Sequence, residues 1–143
     1  MIFNQRIMLL SLIMFVLIVI SGCDKNSYDY NSLIGTWRLT SMKENGTSKI
    51  LQPDELECAD CYSITFKADS TIDVKSQMNE MSGYVILESF KIVIHITFTT
   101  EVGEIGDGTL FTGALDKITS FDFEGESLLL HYPTKNFMLF KRK

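Results

Sequence analysis

Between Lys91 and Phe98, an apolar residue recurs at every second position: Ile92, Ile94, Ile96 and Phe98, with Lys91, His95 and Thr97 on the other parity. Side chains alternate between the two faces of a strand, so this spacing predicts a strand with one buried face. A lone strand cannot hide that face, and the chain supplies several more of the same kind. Tyr62, Ile64 and Phe66 alternate with Ser63 and Thr65, Lys67 to Ser70 turns, and Ile72 and Val74 lead back. Gly83 to Glu88 is a further strand, and Leu33 to Thr40 is the first, with Trp37 and Leu39 on one face. Asn45-Gly46 marks a turn, and residues 49–60 read as irregular. Phe121 and Phe123, the turn Glu124-Gly125-Glu126, then Leu128, Leu130 and Tyr132 form another hairpin. Pro133 to Asn136 turns once more into Phe137 to Lys141.

The period changes once. Leu110, Phe111, Ala114, Leu115 and Ile118 fall on a single helical stripe. The expectation is a short helix at residues about 108–117, with Asp107 capping its first amides. Sequential antiparallel strands that share an apolar face must curl and close to cover it. The predicted fold is therefore mainly β: about eight strands in a curled antiparallel sheet or small barrel, with the helix over an open side or end.

The N-terminus is of another character. Arg6 is the only charge before Asp24, and Ile7 to Ile20 is apolar except for Ser11. A helix rising about 1.5 Å per residue needs roughly twenty apolar residues to span a bilayer, so this run is short for a membrane anchor. It suits the core of a signal peptide behind a positive end. Ile20-Ser21-Gly22-Cys23 resembles the lipobox of bacterial lipoproteins. That resemblance implies cleavage between Gly22 and Cys23, and acylation of the Cys23 thiol and of the new amine. Residues 1–22 are then the signal peptide, 23–32 a lipidated tether and 33–143 the folded domain. Several acyl chains on one residue anchor stably where one would not. The expected address is the bacterial cell envelope, on the outer membrane, with the leaflet open.

Loss of residues 1–22 removes one arginine and no acid, so the net charge of −5 becomes about −6. Phosphate backbones are bound by clustered Lys and Arg, so a nucleic-acid partner is not expected. The remaining residues, about 120, make one domain able to bury its own core.

Leu33-Ile34-Gly35-Thr36-Trp37-Arg38-Leu39 resembles the opening strand of META-domain and lipocalin-like envelope lipoproteins. Tyr62 to Phe66 is similar to that family's aromatic-rich second strand. Asn79 to Tyr84 resembles the segment where META domains carry an Asn before a Gly-Tyr strand start. The stretch with Phe111, Leu115 and Ile118, and the return strand Gly125 to Leu130, also resemble the family pattern. The resemblance implies an envelope β domain and brings no catalytic motif. Met78 stands where many META sequences place a cysteine beside the Asn, which excludes a disulfide from that position. For Gly35-x-Trp37, lipocalin analogy implies a Trp closing one barrel end beneath a cation of the last strand, such as Arg142; a plain core Trp fits equally.

Cys58-Ala59-Asp60-Cys61 is the one motif with redox potential. Glu55, Glu57 and Asp60 lie close in sequence, and negative neighbours disfavour a thiolate. Outside the cytoplasm, a structural Cys58–Cys61 disulfide is the expectation. Those cysteines with His95 and His131 would make a Cys₂His₂ set, but the histidines lack zinc-site spacing, and no metal or cofactor is expected. Glu101, Glu104 and Asp107, interleaved with glycines, read as a turn in preference to a cation loop. No pair among the eighteen acids is singled out for glycoside chemistry, and no nucleophile elbow or phosphate loop occurs. Asp69-Ser70-Thr71 resembles a short O-glycosylation acceptor and also has the composition of a tight turn.

The expected function is a lipid-anchored, non-enzymatic binding or interaction domain. Its partners would be the membrane, and a small apolar ligand or another envelope protein. The alternative is a small thiol-disulfide enzyme using Cys58 and Cys61.

Overall fold

The computed structural model describes residues 29–49 and 58–143. The expected signal peptide, the Gly22–Cys23 cleavage site and lipidated Cys23 lie outside the described residues. A 3-10 turn at Tyr30–Ser32 leads into β1 (Gly35–Glu44) and β2 (Thr47–Lys49). β3 (Ser63–Phe66), β4 (Thr71–Lys75), β5 (Glu80–Glu88) and β6 (Lys91–Thr99) follow. Helix α1 (Gly108–Leu115) precedes β7 (Ser120–Glu124), β8 (Ser127–Tyr132) and β9 (Asn136–Arg142).

Every pairing is antiparallel, and β1 pairs with both β3 and β9, so the sheet closes into a ring. Nine strands are present among the described residues where the sequence predicts about eight. The additional one is β2, three exposed residues paired only to the far end of β1, with no apolar alternation to betray it. The seam of the ring is β6–β7, joined by the single pair Lys91↔Ser120. Helix α1 lies in the connection across that seam and buries Phe111, Ala114 and Leu115. Phe111 meets Tyr62 edge to face at 5.4 Å.

The helix ends at Leu115, two residues short of the expected range. Asp107 does not cap it with its side chain, because that carboxylate is held by Lys49. Leu110 is exposed at the edge of the predicted stripe, while Ile118 is buried just beyond the helix. The barrel interior is one continuous cluster running from Leu33 and Trp37 through Ile64, Ile72 and Ile92 to Leu130 and Phe140. Burial on this scale is the main term holding the ring shut.

The strict alternation of β6 is interrupted once. β5 and β6 pair Gly83↔Ile96 and then Ser82↔Phe98, which leaves an extra residue on β6. A bulge of this kind breaks the two-residue alternation and re-aims the side chains beyond it. Ile92 and Ile94 are buried as expected, but Phe98 is 58% exposed on the outer face. The prediction of four in-facing residues thus fails at its last member. Gly83 permits the bulge: a Cβ there would lie 1.9 Å from the His95 carbonyl oxygen.

Candidate functional site

One end of the barrel is closed at Trp37. The indole is 1% exposed and donates from Nε1 to the Leu33 carbonyl at 2.6 Å. The Arg142 guanidinium lies over the ring, its central carbon 4.3 Å from the centroid. From there it donates to the carbonyls of Ile34 (2.8 Å) and Ser32 (3.1 Å), binding β9 to the segment before β1. Gly35 has φ +127°, and a Cβ on it would sit 2.6 Å from an Arg142 nitrogen, so glycine clears the space for the guanidinium.

Near β4–β5 is a buried polar knot. The Asn79 side chain donates to the Val102 carbonyl (2.7 Å) and to Glu104 (2.6 Å), and accepts from the Val102 amide (2.7 Å) and the Thr100 hydroxyl (3.0 Å). Ser76 also donates to Glu104. This knot fastens the loop before α1 to the β4–β5 turn, so Glu104 has a structural task. Glu101, Glu104 and Asp107 are not gathered around one point: Asp107 pairs with Lys49, and no metal-holding group of three acids, histidines or cysteines occurs among the described residues. Burial pushes the Tyr62 phenol above its usual range, and the charges of Asp107 and Glu104 add to this.

Cys58 and Cys61 are joined in a disulfide, with Cα atoms 5.4 Å apart. Cys61 is fully buried, and the segment leads straight into Tyr62 and β3. His95 stacks on Tyr84 at 4.8 Å and His131 meets Phe137 at 6.1 Å, so each histidine has its own aromatic neighbour. In the β3–β4 turn, the Asp69 carboxylate accepts from the amide and hydroxyl of Thr71, and these bonds lower its pKa.

The outer face of the sheet holds a feature with no counterpart in the sequence patterns, a cleft of about 610 Å³. Its floor is a cross-strand row in which each residue is the register partner of the next: Thr36, Thr65, Asp73, Ser82 and Phe98. A second row runs beside it through Ser63, Lys75 and Glu80. The Thr36 and Thr65 hydroxyls lie 3.0 Å apart. The charges are paired within the face: Lys143 with Asp60, Lys75 with Glu80 at 3.7 Å, and Lys67 with Asp73 at 2.6 Å. The hydrogen bond from Lys143, and its charge, hold the Asp60 carboxyl below its ordinary range. Five strands contribute to this surface, so no local motif could have disclosed it.

Together these features define a small, closed antiparallel barrel with an apolar interior and a polar cleft outside. No family model and no curated protein matches the chain. Solved structures do. A DUF4847 family protein from Bacteroides vulgatus superposes with a TM-score of 0.59 at 20% identity, over 78% of this chain and 94% of that one. A protein from Burkholderia xenovorans gives a TM-score of 0.59 at 15% identity, over 86% and 94% of the two chains. A lipocalin-like protein from Bacteroides uniformis gives 0.51 at 20% identity, over 78% and 99%. At these identities the likeness is one of fold, and the fold is lipocalin-like.

Proposed function

We propose that this chain is a lipid-anchored protein of the bacterial cell envelope, of the META or lipocalin-like kind, whose β domain binds without catalysing a reaction. The observation that carries the reading is the contrast between inside and outside. Trp37, Phe66, Ile72, Ile92, Leu128 and Phe140 occupy the interior at 1% exposure or less, Arg142 lies over Trp37, and α1 packs Phe111 against Tyr62. The outer face, in contrast, offers a cleft within the size range of ligand sites. Binding is therefore assigned to the outer face, toward an envelope component, in preference to an apolar ligand inside the barrel. Membrane attachment through Cys23 rests on the lipobox resemblance.

The thiol-disulfide enzyme is the lesser reading. Its cysteines are adjacent in space, but Cys61 is buried and Asp60 stands between them in sequence, an arrangement that shelters one sulfur and disfavours a thiolate on the other. Cell fractionation with a disulfide-reductase assay tests the proposal. The wild-type chain is expected to take up labelled fatty acid and to sit in the membrane fraction without reductase activity, and Cys23→Ala is expected to lose both the label and cleavage before residue 23. Cleavage of Cys23→Ala at the same bond contradicts the anchor; reductase activity lost on Cys58→Ser contradicts the binding module.

A further inference from the structure

We propose that the outer cleft is a binding site for a neutral oligosaccharide chain, with Phe98 as the platform on which a sugar ring stacks. The proposal names the ligand class for binding at the outer face and rests on that assignment, though not on the lipid anchor.

Phe98 sits where its own hydrophobicity would not put it. The bulge opposite Gly83 turns a phenylalanine from the phase of the core to the outer face, where it is 58% exposed. Exposing so large an apolar side chain forgoes a burial term that Ile92 and Ile94 on the same strand collect. Bulges that re-aim a side chain occur beside functional sites. Here the re-aimed ring ends the row of Thr36, Thr65, Asp73 and Ser82, at the rim of the cleft.

The floor supplies the complementary polar chemistry. Hydroxyls both donate and accept, carboxylates accept and ammonium groups donate, so the rows present both kinds of partner side by side. An apolar ligand would strip water from these groups without replacing its hydrogen bonds. A phosphorylated or other polyanionic ligand would face Asp60, Asp73 and Glu80, and both lysines of the cleft are already paired. An extended peptide is recognised along a sheet edge, whereas this floor lies on a sheet face whose strands pair on both sides. A neutral chain of sugars has hydroxyls for the floor and an apolar C–H face for the Phe98 ring. Strands stand about 4.8 Å apart, so the five-strand row extends roughly 19 Å, room for several sugar units end to end.

The test is native gel retardation of the full chain in a non-glycosidic detergent. The gels contain a neutral β-glucan, α-mannan or galactan, or heparin as the polyanion. At least one neutral polysaccharide is expected to retard the protein. Phe98→Ala should weaken that retardation about tenfold, the loss of a stacking platform together with its buried area. Thr65→Val should weaken it as well, while Phe90→Ala, exposed at the β5–β6 turn, should leave it unchanged. Circular dichroism of each variant confirms the fold. Retardation by heparin alone, by no neutral polymer, or equally in wild type and Phe98→Ala, overturns the proposal. Because the readout does not involve the acyl chains, failure of the anchor and failure of the site are separable.

Discussion

Phe98 stands opposite Ser82 on the outer face of the barrel, although Ile96, two residues earlier, stands opposite Gly83 on the inner one. The geometry depends on the absent side chain at position 83, where a Cβ would meet backbone and not a movable side chain. Gly83→Ala should therefore cost about 2–3 kcal/mol of unfolding free energy, at the upper end for a single substitution. Urea denaturation measures it, and a change within about 0.5 kcal/mol, the level of an ordinary surface substitution, would show that the strands absorb the methyl group without strain.

Arg142 is exposed in overall accessibility, yet its head group makes two hydrogen bonds to carbonyls and covers Trp37. Arg142→Ala should destabilise the barrel by about 1–2 kcal/mol, more than a surface charge is worth. Arg142→Lys should recover only part of this, since an ammonium lacks the planar fork that reaches both carbonyls. Equal stability of the lysine variant and wild type would reduce the contact to simple charge.

The Tyr132 phenol is pushed up to about 12 by burial, with the Glu44 charge adding to it. The folded state holds that proton more tightly than the unfolded chain, whose phenols titrate near pH 10. The resulting stabilisation is fully present below pH 10 and is lost as pH rises from there to about 12. Absorbance titration of tyrosinate should show a late phase that disappears in Tyr132→Phe. A late phase unchanged in that variant would assign it to another tyrosine.

The Cys58–Cys61 bridge closes a very short loop, and loop-closure entropy grows with loop length. Replacing both cysteines by serine should cost about 1–2 kcal/mol, below the usual range for a disulfide. Fold and membrane attachment should persist. A loss above about 4 kcal/mol would mean that Cys61 matters as buried packing more than as a cross-link.

The closed β architecture is legible in the sequence because its signals are local. Alternation such as Ile64, Phe66, Ile72 and Val74 fixes which face is buried, and turns at Asn45-Gly46 and Glu124-Gly125 fix where strands reverse. The helix is legible for the same reason, through the stripe of Phe111, Ala114, Leu115 and Ile118. Where a partner strand or distant side chain decides the outcome, local pattern misleads. Asp107 has the position and chemistry of a cap for α1 but is engaged by Lys49, distant in sequence. Phe98 keeps the core's phase in sequence and leaves it in space, because a bulge is a property of two strands together. The candidate cleft is the extreme case: its residues share no segment, only a row across the sheet.

Intact mass spectrometry of the full chain, non-reduced and in both native and denaturing conditions, tests whether the protein is an anchored barrel with a packed interior. The expected species is a polypeptide beginning at Cys23 and carrying acyl chains. Its mass should be lower by two hydrogens for the Cys58–Cys61 bridge, and native spectra should hold no additional apolar molecule. A retained leader, an unmodified Cys23, or a stoichiometric apolar adduct that is lost on denaturation would contradict it.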